Sequence, residues 1–251
     1  MLKRWNVTIP ELSGEKRRHI YVWLPDDYDG QPEKHYPVLY LFDGHNIFLD
    51  EYAAFGKSWG MYDFMSYTRK DLIIVAVECN HEGHRRLCEY APFSYRNAEH
   101  GHIEGCGNVM MRWMAHRLKA YMDNHYRTLP DREHTIIGGS SMGGLIALYG
   151  ATAYNHIYGK AICLSPSLWV CPAGSLSMVA RAKMAPDTVL YLSYGEKEMD
   201  NHKHNRATLN AVCKALLSKN INLTARIVKD GYHCEAAWEK EVPIFMECLE
   251  L

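Results

Sequence analysis

Thr135-Ile136-Ile137-Gly138-Gly139-Ser140-Ser141-Met142-Gly143-Gly144 carries an apolar, β-branched run straight into a serine flanked by glycines. Within it, Gly139-Ser140-Ser141-Met142-Gly143 matches Gly-x-Ser-x-Gly, a pattern that sets a serine at the top of a tight strand-to-helix turn. The flanks supply the elements that such a turn requires. His134 to Ile137 reads as a short buried strand. Met142 to Ala153 reads as a helix, with Leu145, Leu148 and Tyr149 on one side and small residues on the other. Ser141 is therefore the candidate nucleophile. Ser140 stands one position too early, and its hydroxyl is expected to satisfy backbone groups in the turn.

Outward from this turn, short apolar runs alternate with helical patterns. Arg4 to Ile9 and Arg18 to Leu24 read as two antiparallel strands. Val38 to Phe42 and Leu72 to Val77 are continuous apolar runs, which suit strands covered on both faces. Residues 57 to 69 form the expected crossover helix between them, and Asn108 to Tyr126 a longer helix with apolar residues at near-helical spacing. Strands follow at Ala161 to Leu164, Val189 to Leu192 and Leu223 to Val228, with helices over His204 to Leu217 and Glu235 to Cys248. This alternation predicts an α/β fold: a mostly parallel central sheet with helices on both faces and antiparallel strands at the N-terminus. No linker, repeat or low-complexity tract divides it, so residues 1–251 are expected to form one domain.

Composition excludes several function classes. Lys plus Arg number 28 against 29 Asp plus Glu, leaving a net charge of −1. That lacks the basic excess of a nucleic-acid or anionic-membrane binder. No apolar h-region follows Lys3-Arg4, and no stretch approaches the length of a membrane span. The eight cysteines include no Cys-x-x-Cys pair and are expected to be free, buried thiols. A cytoplasmic location is expected, while the oligomeric state is open and compatible with a homo-oligomer.

A serine hydroxyl needs a general base near neutral pH. Of fourteen histidines, His233 fits best, because Asp230-Gly231-Tyr232-His233 follows the last strand and precedes the last helix. That position gives the chain order serine, acid, histidine. The acid is expected in the segment after Tyr191-Leu192, where Glu196, Glu198 and Asp200 all qualify and sequence physics alone does not choose among them. The oxyanion hole is expected from two backbone amides, that of Met142 and that of His45 in the loop after the 38–42 strand. The His45 imidazole has no role derivable from sequence. No cofactor and no metal is expected. His81 with His84, His100 with His102 and His202 with His204 have short spacings, but they lie in polar loops and none sits in a His-Glu-x-x-His helix. Aromatic and histidine residues around 45–62 and 90–102 could line an acyl pocket or serve as ordinary packing.

Taken together, these residues resemble the putative esterase branch of the α/β-hydrolases, which includes esterase D-like enzymes, feruloyl and acetyl-xylan esterases, enterochelin esterases and mycolyltransferases. The resemblance covers nearly the whole chain. It rests on Tyr36 to Asn46, on Arg86 with Glu89-Tyr90-Ala91-Pro92-Phe93, and on Tyr126-Arg127-Thr128. It continues through Gly139 to Gly144, Leu164 to Trp169, and Gly231-Tyr232-His233 with Trp238. It implies an α/β-hydrolase fold and a serine esterase acting on a small-molecule ester through Ser141, His233 and the amides of His45 and Met142. Gly195-Glu196-Lys197-Glu198 matches a Gly-x-Lys-Glu segment of many relatives and favours Glu198 as the acid. His45 departs from the glutamine common after Asp-Gly in relatives. An acyltransferase or a non-catalytic binding protein on the same scaffold are the competing readings.

Overall fold

In the computed structural model, which describes residues 1–202 and 204–251, ten strands appear in chain order. They are β1 (Leu2–Thr8), β2 (Arg17–Trp23), β3 (Val38–Phe42), β4 (Ile73–Val77), β5 (Tyr95–Asn97), β6 (Gly101–Ile103), β7 (Thr135–Ser140), β8 (Lys160–Leu164), β9 (Val189–Gly195) and β10 (Asn222–Val228). Eight of them form one sheet in the order β1-β2-β4-β3-β7-β8-β9-β10. β1 pairs antiparallel with β2, and β2 with β4. From β4 to β10 every pairing is parallel. This is the mostly parallel sheet with antiparallel N-terminal strands that the sequence pattern predicts.

The continuous apolar runs are explained by two cores. Along β3, Val38, Tyr40 and Phe42 join one core while Leu39 and Leu41 join the other. The first core is roofed by the helical stretch 107–125 and by the helices Met142–Ala153, Pro172–Arg181 and Asn205–Leu217. The second is covered by Met61–Thr68 and Val242–Cys248. Crossovers between parallel strands keep one hand, so the direction of travel along the sheet decides which face a helix covers. From β3 the chain moves outward to β4, and Met61–Thr68 lands on the second face. From β4 it turns back past β3 to β7, and its helices as far as Asn205–Leu217 land on the first. Adjacent strands β3 and β7 thus send their exit loops to opposite faces, which opens a crevice at their carboxyl ends.

Several details differ from the expectations. The helix after β7 is not two-sided: every residue from Met142 to Thr152 is buried except the half-buried Tyr149, because the helix is wedged between sheet and neighbouring helices. The C-terminal helix is two helices, Glu235–Glu239 and Val242–Cys248. Pro243 has no amide to offer the Glu239 carbonyl, and its ring would clash there. The helices Arg85–Tyr90 and Pro172–Arg181 and the β5–β6 hairpin are additional elements. Pro172-Ala173-Gly174-Ser175 has a turn-like composition that hides a helix start, although proline is well suited to a first helical turn. All eight cysteines are free, but only Cys79 and Cys163 are fully buried. Among the described residues, no helix is long and apolar enough to cross a membrane.

Leu148 is fully buried in the first core. Leu148→Ala is expected to lower unfolding stability by about 2–5 kcal/mol, the usual cost of a core cavity; chemical denaturation with an unchanged m-value checks this.

Candidate active site

At the end of β7 the backbone of Ser141 takes φ 59° and ψ −124°, well outside the ordinary regions for a residue with a side chain. Such a conformation costs roughly 1–3 kcal/mol and persists only where its surroundings enforce it. Here they do so through close approach: a Cβ on Gly139 would lie 2.6 Å from the Gly143 carbonyl carbon. Neighbouring strands hold the turn, with the Ser141 amide donating to the Leu164 carbonyl (2.9 Å) and the Ser167 amide to the Ser141 carbonyl (3.0 Å). The serine hydroxyl is thereby lifted above the sheet edge.

His233 lies in the loop between β10 and the Glu235–Glu239 helix. Its Nε2 is 2.9 Å from Ser141 Oγ, and its Nδ1 is 2.5 Å from Glu198 Oε2. These partners require the neutral ring to carry its proton on Nδ1, donating to the carboxylate, while Nε2 accepts from the serine hydroxyl. Of the three candidate acids, Glu196 and Asp200 are exposed and Glu198 is buried. The Glu196 carboxylate instead accepts from the Asp230 amide (3.1 Å). Ser140 is buried at the end of β7, away from this relay of side chains.

Glu198 is held from behind. Its Oε1 accepts from the Gly195 amide (2.6 Å) and from the Ser165 hydroxyl (2.5 Å), and Ser165 Oγ in turn accepts from Trp238 Nε1 (3.0 Å). The Trp238 ring also meets His233 edge-on, with centroids 5.1 Å apart. Sequence reasoning gave Ser165 and Trp238 no role. Their only signal was membership of the two segments that carry the family resemblance.

His45 follows β3 in a single 3₁₀ turn, Gly44–Asn46, and Met142 opens the helix after β7. Both amides therefore stand at the same crevice, and a first-turn helix amide has no intrahelical acceptor. The β3 turn is fixed by Asp43, itself at φ 56°. Its buried carboxylate is gripped at both oxygens by Arg86, Nε to Oδ1 at 2.8 Å and Nη2 to Oδ2 at 2.7 Å. Burial pushes the Asp43 acid up, but Arg86 outweighs it and holds the carboxyl below its usual range. Asn46 ties the same turn to the far side of the crevice by donating to Glu235 Oε1 (3.1 Å).

A cavity of about 240 Å³ adjoins the pair, lined by Ser165, Trp169, Tyr194, Glu198, His202 and His233 among others. Trp169 and His202 stack at 3.8 Å. These walls do not come from segments 45–62 and 90–102. Phe48, Trp59 and Tyr90 in those segments are core residues, so for these three the packing alternative holds. Among the described residues, the one set of three side chains close enough to share a metal ion is His45, Cys79 and His81. None of the three short-spaced histidine pairs forms such a set.

The protein family described as "Putative esterase" matches residues 12–243. The uncharacterized protein YbbA of Bacillus subtilis is 22% identical over 187 residues, covering 72% of this chain and 69% of its own. An IroE-like serine hydrolase from Shewanella oneidensis has the same fold at 17% identity and TM-score 0.75, with 100% of this chain and 79% of that one covered. So does an S-formylglutathione hydrolase from Agrobacterium tumefaciens, at 15% identity and TM-score 0.70, with 100% and 95% covered. The architecture is that of the α/β-hydrolases.

Arg86→Met would leave the Asp43 carboxylate buried without its counter-charge. We expect a loss of roughly 3 kcal/mol, the low end for a broken buried pair because Arg86 keeps some access to solvent. Urea denaturation of the variant beside Asp43→Asn/Arg86→Met checks it; the double variant should recover part of the loss.

Proposed function

The chain belongs to the "Putative esterase" family, and from that membership we propose that it is a serine esterase whose nucleophile is Ser141, whose general base is His233 and whose orienting acid is Glu198. One observation carries the reading: the continuous relay from Ser141 Oγ to His233 Nε2 (2.9 Å) and from His233 Nδ1 to Glu198 (2.5 Å). The substrate is a small-molecule carboxylic ester.

In the first half-reaction Ser141 Oγ attacks the acyl carbon while its proton passes to His233 Nε2. Glu198 stays ionised and stabilises the imidazolium through the Nδ1–H bond. The amides of His45 and Met142 receive the negative charge that develops on the carbonyl oxygen. His233 then protonates the leaving alcohol as the carbon–oxygen bond breaks, leaving an acyl-serine. Water repeats the sequence: His233 takes its proton, the hydroxyl oxygen bonds to the acyl carbon, and Ser141 leaves reprotonated. One portion of the ester fits the cavity walled by Trp169, Tyr194 and His202.

Ser141→Ala is expected to lower kcat for p-nitrophenyl acetate by roughly 10⁶-fold, whereas Ser140→Ala leaves it near wild type. Equal losses in the two variants would refute the nucleophile assignment, and the residue labelled by a fluorophosphonate reports on it independently. Among the acids, Glu198→Gln is expected to cost about 10⁴-fold in kcat. Glu196→Gln and Asp200→Asn should each remain within a small factor of wild type. A steady-state series on all three distinguishes the buried acid from its exposed neighbours.

A further inference from the structure

We propose that His45, Cys79 and His81 form a binding site for a divalent transition-metal ion of the zinc class, at the carboxyl ends of β3 and β4. The sheet register brings them together. Phe42 pairs with Val77 at the ends of these parallel strands, so the turn after β3 and the exit from β4 leave side by side. One donor atom from each side chain lies within 4.8 Å of the other two. Cys79 Sγ and His81 Nδ1 are 3.9 Å apart, and the His45 and His81 rings meet edge-on with centroids at 4.6 Å. Zinc–sulfur bonds of about 2.3 Å and zinc–nitrogen bonds of about 2.0–2.1 Å, arranged tetrahedrally, put donors about 3.3–3.6 Å apart. The three side chains need only modest inward rotation to meet one ion.

A second observation points to a ligand. His45 is only 6% exposed, yet its buried Nδ1 has no hydrogen-bond partner among the described residues. A buried ring nitrogen left in this state is costly, and a metal ion would satisfy it. His81 is also prepared from behind: its Nε2 lies 3.2 Å from Glu78 Oε1, the carboxylate–histidine arrangement that orients metal-binding imidazoles. The other Glu78 oxygen accepts from the His19 amide (2.8 Å) and faces its ring (3.0 Å). Asp43 adds a second negative charge beside His45, partly offset by Arg86. The neighbouring Arg18–Glu89 pair is neutral as a unit.

The donor set selects the ion. One thiolate and two imidazoles favour zinc, cobalt or copper over magnesium or calcium, which take oxygen ligands. Binding must break the Cys79 S–H bond, release that proton to water and form a metal–thiolate bond. Three protein ligands leave a fourth position for water. His81, about half exposed, opens the way in. An ion held here would clamp residue 45 to the β4 exit and stiffen the turn whose amide is assigned to the oxyanion hole.

The test is a cobalt titration of the full chain after chelator treatment, followed by displacement with zinc in a calorimeter. One Co²⁺ per chain is expected, with a thiolate-to-cobalt charge-transfer band and visible absorption of a tetrahedral site. Cys79→Ser should remove that band. His81→Ala, at a half-exposed position where folding is safe, should weaken zinc binding at least tenfold, and Glu78→Gln by about tenfold. His84→Ala should leave affinity unchanged. Ser141→Ala should bind as the parent does, which separates this inference from the esterase reading. Absence of the band, its survival in Cys79→Ser, zinc affinity unmoved by His81→Ala, or loss of binding in Ser141→Ala would each overturn the proposal.

Discussion

Everything at the crevice depends on the absence of side-chain atoms between Gly139 and Gly143. A single Cβ on Gly139 would lie 2.6 Å from the Gly143 carbonyl carbon, and one on Gly144 would lie 2.8 Å from the Leu164 carbonyl oxygen. Without that clearance the chain could not pass from β7 into its helix in one residue. Ser141 would then relax out of its strained backbone conformation and sink toward the sheet. Rigid packing supplies the force that maintains the strain, because the helix behind the turn is buried on nearly all sides.

The remaining polar groups of the site are positioned from successive strand ends rather than from one loop. β8 leads to Ser165, β9 leads to Glu198, and β10 leads to His233. Each is one strand further from β7, and the contacts run from Ser141 after β7 to His233 after β10, then back through Glu198 after β9 to Ser165 after β8. A buried carboxylate in such a place is stable only if its lone pairs are used. Glu198 uses them on the Gly195 amide, the Ser165 hydroxyl and His233. Trp238 closes the network from the second face, and the proline-induced break between the last two helices leaves that indole at a helix end, where its N–H reaches Ser165.

The other wall of the crevice follows an analogous logic with a different charge balance. Asp43 sits in a left-handed turn and is neutralised by Arg86, so the turn bearing His45 is anchored by a buried ion pair as well as by its backbone. The imidazole of His45 then has nowhere to point but back toward Cys79 and His81. A residue whose amide faces the crevice and whose ring faces a thiol and a second histidine couples two places in the molecule. In sequence, His81 invites pairing with His84. In space its partners are Glu78, Cys79 and His45, because β3 and β4 are neighbours.

The sequence by itself determined the fold class, the place of the turn, the order of the candidate serine and histidine, and the main-sheet strands from Val38 to Val228, because burial on both faces and Gly-x-Ser-x-Gly spacing are local patterns. Composition misleads at two places. Gly174 and Ser175 hide the helix that starts at Pro172, and the apolar pattern from Glu235 to Cys248 runs unbroken through Pro243 although the backbone breaks there. Tertiary structure alone decided which of Glu196, Glu198 and Asp200 faces the imidazole, since all three share one short segment and differ only in which side of a 3₁₀ turn enters the core. It alone joined Ser165 and Trp238 to that acid, Arg86 to Asp43, and His45 to Cys79 and His81. Each of those contacts spans dozens of residues, and its existence depends on strand order, which no local pattern encodes.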